Sequence, residues 1–204
     1  NICSGTRSTG GILNISGGTI SGGKSYQGGN IGSRGNTTIS GGTISGGRAY
    51  KRGGNIYQVN SASRTLTITG SATIKGGYAR FKDTGTASTD YPSESSANQT
   101  IGGNIFIHGD STGKGNAVIS GGTISGGYAN CGGNVYCGGT LLISGGTISG
   151  GNAQGSSASG GNIYQTSLTS GGVPTTSITM TGGTVKDGYS NASGGNVQTH
   201  GNFT

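Results

Sequence analysis

Apolar residues in this chain occur in short segments where they alternate with polar residues, and pairs of glycine separate these segments. Residues 134–151 are typical and read NVYCGGTLLISGGTISGG. In an extended conformation, Val135, Leu141, Ile143 and Ile148 point to one side, and polar or small residues point to the other. The pattern therefore predicts three short β-strands between glycine corners, and it does not fit a helix.

Two motifs recur and divide the chain into repeats. Copies of the nonapeptide ISGGTISGG, two of them degenerate, begin at Ile15, Ile39, Ile68, Ile119, Ile143 and Met180. A Gly-Gly-Asn-(Ile/Val) motif alternates with the nonapeptide, and the first two residues are a partial copy of it. Its asparagines are Asn1, Asn30, Asn55, Asn104, Asn134, Asn162 and Asn196. The motifs predict one repeat domain over 1–204, with coils that begin near residues 1, 30, 55, 104, 134, 162 and 196.

Repeats with three short strands each predict an all-β fold, a parallel β-solenoid of about six to seven coils in which equivalent residues form columns. The crossover rule favours a right-handed β-helix. Length variation falls in 81–100 and 165–177, which we expect to be lateral loops. The thin core of such a fold agrees with a composition of only 28% hydrophobic and 8% charged residues.

Glycine pairs are expected to form the corners of each coil. We expect Gly133, the second glycine of one Gly-Gly-Asn motif, to have a positive φ. A small residue follows each second Gly-Gly pair by two positions, and we expect it to line a tight inner corner. This column consists of Ser25, Ala49, Ala79, Ala129, Ala153 and Ser190.

The asparagines of the Gly-Gly-Asn motif are expected to form a ladder along one corner of the solenoid. Their side-chain amides would bond to each other and to the backbone of the corner. Because every coil supplies one such residue, a structural role is favoured over ligand binding.

A column of threonines is expected on the outer surface. Each begins a Thr-(Ile/Val)-(Ser/Lys) strand, and the six are Thr19, Thr43, Thr73, Thr123, Thr147 and Thr184. Rows of Thr-x-Ser on a flat sheet resemble the Thr-x-Thr arrays of ice-binding solenoids, so ice binding is one hypothesis. The alternative is that threonine simply suits exposed, paired strands.

Aromatic residues form a second expected outward column, made of Tyr57, Phe106, Tyr136 and Tyr164. Stacked aromatic rings could bind the sugars of a glycan, which would make the chain a glycan-binding adhesin module. The alternative, that the stacked rings only stabilise the face of the sheet, is favoured.

The net charge of +7 is unevenly distributed, at +10 over 1–82 and −3 over the remainder. A polycation favours anionic partners such as nucleic acids or acidic glycans. The basic residues are spread singly between turns, however, and no nucleic-acid-binding motif accompanies them, so no nucleic-acid partner is expected. No apolar run is long enough for a transmembrane helix, and no membrane insertion is expected.

The acidic residues do not suggest a catalytic site. Asp83, Asp90 and Glu94 fall in one insertion, whereas Asp110 and Asp187 belong to other coils. Glycoside hydrolysis needs two carboxylates that face each other, and no two acids occupy equivalent positions in adjacent coils. We therefore expect no enzyme, no catalytic residue, no metal site and no cofactor.

The three cysteines are Cys3, Cys131 and Cys137. Free thiols are favoured. A bridge between Cys131 and Cys137 would need a sharp corner at the intervening glycines, and an intermolecular bond is the alternative for the odd cysteine.

Five asparagines lie in sequons for N-glycosylation. In a secreted eukaryotic chain, some of them would carry glycan, and the one in the long insertion would be the first choice. They are Asn98, Asn14, Asn36, Asn191 and Asn202.

The alternation of GGN-(I/V) with LxISGGTISGG resembles the repeats of bacterial adhesin-like and polymorphic outer-membrane-protein passengers. The resemblance spans the chain and implies a right-handed β-helix in an extracellular or cell-surface location. It implies a structural or adhesive function, with cell-surface glycans among the expected partners. We also expect head-to-tail association with other copies or with flanking repeats of the same chain, because no polar capping segment precedes the first coil or follows the last.

Overall fold

The computed structural model describes residues 2–5, 10–59, 64–79, 100–109, 115–155, 157–166, 169–170 and 173–204. These ranges contain 25 strands and no helix. It follows that none of the described residues belongs to a helix long and apolar enough to cross a membrane. Asn1, Asn98 and the insertion 81–100 up to residue 99 lie outside the described residues.

The first sheet contains one strand from each coil and begins directly after each Gly-Gly-Asn. Its seven strands are β1 (Ile2–Ser4), β5 (Ile31–Ser33), β9 (Ile56–Gln58), β13 (Ile105–Ile107), β16 (Val135–Cys137), β19 (Ile163–Gln165) and β24 (Val197–Thr199).

The second sheet contains both halves of the nonapeptide. In the first three coils the halves are separate strands: β2 (Ile12–Ile15), β3 (Thr19–Ser21), β6 (Asn36–Ile39), β7 (Thr43–Ser45), β10 (Thr65–Ile68) and β11 (Thr73–Lys75). In the next three coils they merge into β14 (Asn116–Ser125), β17 (Thr140–Ser149) and β22 (Ser177–Lys186), and β25 (Asn202–Phe203) ends the sheet. The merged strands shift register at the Ser-Gly-Gly segment, as a β-bulge does.

The third sheet lies after the second Gly-Gly pair of each coil. Its six strands are β4 (Lys24–Gln27), β8 (Arg48–Arg52), β12 (Tyr78–Ala79), β15 (Tyr128–Ala129), β18 (Asn152–Ala153) and β23 (Tyr189–Ser190).

All pairs within these three sheets are parallel and join equivalent residues of successive coils. In the first sheet, for example, Ile105 pairs with Ile56 on one side and with Val135 on the other. Parallel in-register pairing between coils defines a parallel β-solenoid, so this prediction is confirmed. A small antiparallel pair, β20 (Thr169–Ser170) with β21 (Val173–Pro174), lies within the 165–177 insertion.

The third sheet occupies the position where the sequence suggested only a tight corner. After the glycine pair the backbone stays extended and bonds to the next coil: Tyr78 N donates to Gly47 O and Tyr128 N to Gly77 O, both at 2.9 Å. The small residues, such as Ala49 and Ala129, are fully buried because they face inward from this sheet. Two of the three strands predicted for each coil therefore lie in the same sheet, and the third sheet is formed by residues that were predicted to be a corner.

The core is a thin column of β-branched side chains between the sheets. Ile31, Ile56, Ile105, Val135 and Ile163 from the first sheet are all 0–1% exposed. They pack against the isoleucines of the nonapeptide in a single cluster that runs through the coils. Because no described strand buries more than three apolar residues, few hydrophobic residues are enough to fill this core.

The corner glycines are required for two different reasons, a positive φ at some positions and close backbone contact at others. The expectation that Gly133 has a positive φ was wrong. The positive φ of 63° belongs to Gly132, and Gly133 has none. A Cβ added to Gly133 would lie 2.2 Å from Gly161 O and 2.3 Å from Asn152 N. The backbones of neighbouring coils and sheets therefore approach too closely for any side chain.

We predict that Gly133→Val lowers the free energy of unfolding by more than about 2 kcal/mol, because the new side chain forces apart backbone segments that are fixed by hydrogen bonds. Ser144→Val is the control, since Ser144 is exposed on a strand and should change stability by only about 0.5 kcal/mol. Urea unfolding followed by circular dichroism measures both. Equal, small losses would contradict the corner geometry.

Candidate functional site

The asparagine column forms a continuous chain of side-chain hydrogen bonds along the solenoid. Each Nδ2 donates to the Oδ1 of the next coil at 2.7–2.9 Å. The members are Asn30, Asn55, Asn104, Asn134, Asn162 and Asn196. All but the last are completely buried.

Each interior amide uses its full bonding capacity. Asn134 Nδ2 donates to Asn162 Oδ1 at 2.7 Å and to Ser149 O at 2.8 Å. Its Oδ1 accepts from Asn104 Nδ2 at 2.7 Å and from Gly127 N at 2.9 Å. Two donors and two acceptor positions are thus occupied, as the amide chemistry allows. No donor or acceptor is left over for a ligand.

A second buried polar column runs beside the core, and sequence reasoning missed it. It occupies the third residue of each first-sheet strand: Ser4, Ser33, Gln58, Gln165 and Thr199 share it with Ile107 and Cys137. Thr37 Oγ1 lies 2.9 Å from Gln58 Oε1, and Gln58 Nε2 donates to Gly35 O at 2.6 Å. Thr199 Oγ1 donates to Gln165 Oε1 at 2.6 Å. Strict alternation from the inward Ile or Val marks the position as inward, but its mixed residue types conceal it.

The threonine column lies in register on the second sheet, because each threonine pairs with the equivalent threonine of the next coil. The six in order are Thr19, Thr43, Thr73, Thr123, Thr147 and Thr184. The next outward column contains Ser45 and Ser125, but Lys75 and Lys186 interrupt it. Apolar Val118 and Leu142 also lie on this sheet, where they line an open depression of about 440 Å³. The threonine column is therefore regular, but the lysines beside it and the apolar depression interrupt the polar surface of this sheet.

The four aromatic residues of the first sheet stack on one another. Tyr57 and Phe106 have ring centroids 5.2 Å apart with 5° between planes, and Tyr136 and Tyr164 continue the stack at 5.2 and 5.4 Å. Phe106 is only 3% exposed, and the Arg52 guanidinium lies 5.2 Å from its ring centroid. Burial raises the pKa of Tyr164 to about 12. Since the ring faces contact each other, little ring surface remains for a sugar.

The third sheet carries a further set of aromatic residues, which sequence reasoning did not identify. Tyr78 and Tyr128 stack at 4.7 Å, and Tyr26 and Tyr50 stack at 5.3 Å. Lys24 and Arg48 are exposed in the same outward row as Tyr78. The pairing of small inward residues with large outward ones could have revealed this face.

The remaining candidate residues are scattered over the surface. Asn14, Asn36, Asn191 and Asn202 are all exposed, so these sequons are accessible. Asp187 lies 3.7 Å from Lys186 and is the only acidic residue among those described. Within the described ranges, no three His, Cys, Asp or Glu side chains come together as metal ligands would.

The cysteines are free thiols in two different environments. Cys3 is exposed, whereas Cys131 and Cys137 are buried. Burial raises the pKa of Cys131 to about 11 and that of Cys137 to about 12, although a backbone hydrogen bond opposes the shift in each case. Cys137 occupies the buried polar column of the first sheet, so the bridge to Cys131 that the sequence left open is not formed.

Comparisons of this chain with protein-family models, with curated proteins and with solved structures found no match.

We predict that Asn134→Leu lowers the free energy of unfolding by at least about 3 kcal/mol, because Asn104 Nδ2 and Gly127 N lose their acceptor in a buried site. Asn191→Leu, at an exposed position of the same residue type, should change stability by about 0.5 kcal/mol or less. Denaturant unfolding measures the difference. Similar losses for the two variants would show that the ladder contributes little.

We predict that one thiol per folded chain reacts with a disulfide reagent near neutral pH, and that all three react after unfolding. The thiolate is the reactive form, and the raised pKa and burial of Cys131 and Cys137 suppress it. Cys3→Ser should abolish the reaction of the folded chain. Reaction of two or three thiols in the folded wild-type chain would contradict the buried placement.

Proposed function

We propose that this chain is a structural element of an extracellular or cell-surface rod. The observation that carries the proposal is the asparagine ladder, which links every described coil from Asn30 to Asn196 through buried hydrogen bonds. The asparagines and the first-sheet aromatic residues, which the sequence left as candidates for ligand binding, instead bond or stack between coils. The resemblance of the repeats to adhesin-like passengers supports the surface location.

Hydrogen bonds and residue columns that run along the axis suit a load-bearing rod. Each coil from Asn30 to the one that begins at Asn162 adds parallel pairs in three sheets, one amide to the ladder and one layer to the core. A solenoid of this kind derives its stability from contacts between neighbouring coils, so its length can grow without a larger core.

The last two rungs of the described stack show what a neighbouring coil covers. Asn162 is fully buried, but Asn196 at the last rung is exposed. Val197 is half-buried, whereas Ile163 in the preceding coil is completely buried. A further coil, from another copy or from the same polypeptide, would extend the ladder and cover this apolar cross-section.

We predict that the isolated chain associates end to end into rods longer than the roughly 35 Å of seven stacked coils. Light scattering and negative-stain microscopy at low salt measure the lengths. Asn196→Lys should shorten the rods because it interrupts the last rung, whereas Asn191→Lys should not.

The surface location is tested separately. Immuno-gold labelling of source cells should place the epitope at the cell surface.

Particles no longer than about 35 Å at high concentration would refute self-association and leave only the continuous-chain form of the proposal. Label confined to the cell interior would refute the surface rod altogether.

Ice binding is a second candidate because six threonines occur in unbroken register. The lysines in the adjacent column and the apolar depression argue against it, since both break the flat, regular polar array. Measurable thermal hysteresis that Thr123→Lys removes would favour ice binding over the structural rod.

A further inference from the structure

The third sheet holds two tyrosine rings face to face at the surface. Tyr78 on β12 and Tyr128 on β15 are register partners in adjacent coils. Their ring centroids are 4.7 Å apart with 6° between the planes. Tyr78 is 36% exposed and Tyr128 is half-buried. The edge of this pair is therefore open to solvent, and the two rings have room to tilt towards each other.

Two phenols in contact are the reactants of one covalent reaction, oxidative coupling to dityrosine. A one-electron oxidant takes an electron from each tyrosine, and each phenol releases its proton. The unpaired electron of the resulting phenoxyl radical is shared with the ring carbons beside the hydroxyl, the Cε atoms. A bond then forms between one Cε of each ring, the hydrogen on each of these carbons leaves as a proton, and each oxygen regains a proton. With hydrogen peroxide as the final oxidant, two tyrosines and one peroxide give one dityrosine and two water molecules.

The sheet supplies the proximity that this coupling needs. Backbone hydrogen bonds of 2.9 Å hold both strands, from Tyr78 N to Gly47 O and from Tyr128 N to Gly77 O. Tyr128 Oη also lies 3.4 Å from Gln154 Oε1. Reactants fixed in this way couple as an intramolecular pair, with an effective concentration far above that of the protein in solution.

The other stacked tyrosines are less suited to coupling. Tyr26 and Tyr50 are 5.3 Å apart with 27° between the planes, and the register of their strands shifts at this point. Tyr136 and Tyr164 are 5.4 Å apart with 23° between the planes. Burial raises the pKa of both of these phenols, which opposes the proton loss that accompanies oxidation. Geometry and exposure together therefore favour the pair on β12 and β15.

We propose that Tyr78 and Tyr128 form a modification site, at which a peroxide and a haem peroxidase create a dityrosine cross-link between two coils of one chain. The two residues are 50 positions apart in the sequence, so the bond closes a long loop. Closing such a loop restricts the unfolded chain and stabilises the folded one. The site goes beyond the proposed rod, because the reaction requires only that the oxidant reach this face.

Two variants each remove one phenol and keep the aromatic ring. They are Tyr78→Phe and Tyr128→Phe. Phenylalanine suits a stacked column of this fold, because Phe106 already lies between two tyrosines of the first sheet at 5.2 Å from each. Circular dichroism and melting curves before oxidation verify the fold of each variant, and either variant alone is a sufficient test.

Tyr189→Phe is the matched control. Tyr189 lies in the same outward row of the third sheet and is 54% exposed, more than Tyr78. Its register partner is Asn152, which separates it from Tyr128. If exposure alone decided reactivity, Tyr189 would couple more readily than Tyr78. If the stacked geometry decides, removal of its phenol leaves the yield unchanged.

The chain is treated in dilute solution with a haem peroxidase and one equivalent of hydrogen peroxide. Cys3 is alkylated first, because its exposed thiol would reduce tyrosyl radicals. Denaturing gel electrophoresis separates single chains from cross-linked chains, and fluorescence measures dityrosine in the single-chain band. Trypsin then releases Tyr78 within residues 76–80, which contain no other tyrosine, so mass spectrometry identifies the peptide joined to it.

We expect dityrosine in the single-chain band of the wild-type protein. Tyr78→Phe and Tyr128→Phe should each lower the yield at least about fivefold, and Tyr189→Phe by less than about twofold. The cross-linked wild-type chain should melt roughly 5–10 °C above the oxidised Tyr78→Phe variant, because only the former has the closed loop.

Absence of dityrosine from the single-chain band, or an equal yield from wild type and Tyr78→Phe, would overturn the site. A linked peptide that joins Tyr26 to Tyr50 in place of Tyr78 to Tyr128 would overturn it as well. Rod formation is scored by microscopy on the unoxidised chain, so failure of the structural proposal is distinguishable from failure of this one.

Discussion

The structure depends on the hydrogen bonding of one buried amide in each coil. An asparagine at this position satisfies the backbone of two corner segments and binds its counterparts above and below. Asn134, for example, contacts Gly127 N and Ser149 O besides Asn104 and Asn162. Aspartate lacks the two donors, and serine has too few groups. The side chain thus fixes the spacing of the coils as well as the shape of each corner.

The amide ladder explains why glycine surrounds it. Gly127 and Gly133 lie so close to neighbouring backbone that a Cβ would approach Gly133 O and Gly161 O at 2.1 and 2.2 Å respectively. Close approach lets the backbone N–H of the corner reach the asparagine oxygen. The abundance of glycine in this chain is therefore a consequence of corner packing, and only some of these glycines need a positive φ.

Sequence periodicity predicted those features that repeat with the same residue type. The isoleucine columns, the threonine register and the parallel stacking were visible because identical residues recur at identical offsets. The third sheet was not predicted, since strands as short as Tyr78–Ala79 contain too few residues for alternation to be recognised. The buried polar column was missed because Gln58 and Ile107 are equivalent in space but unlike in chemistry.

The number of residues in a coil has little influence on the spacing of coils along the axis of the solenoid. Asn55 and Asn104 are 49 positions apart, yet their amides are joined by the same 2.7 Å bond that joins Asn30 to Asn55 over 25 positions. The additional residues therefore do not alter the hydrogen bond between these two rungs. A repeat of this kind can acquire or lose entire segments at its flanks while the axial framework stays the same. Sequence diversity can thus accumulate on a scaffold of constant dimensions.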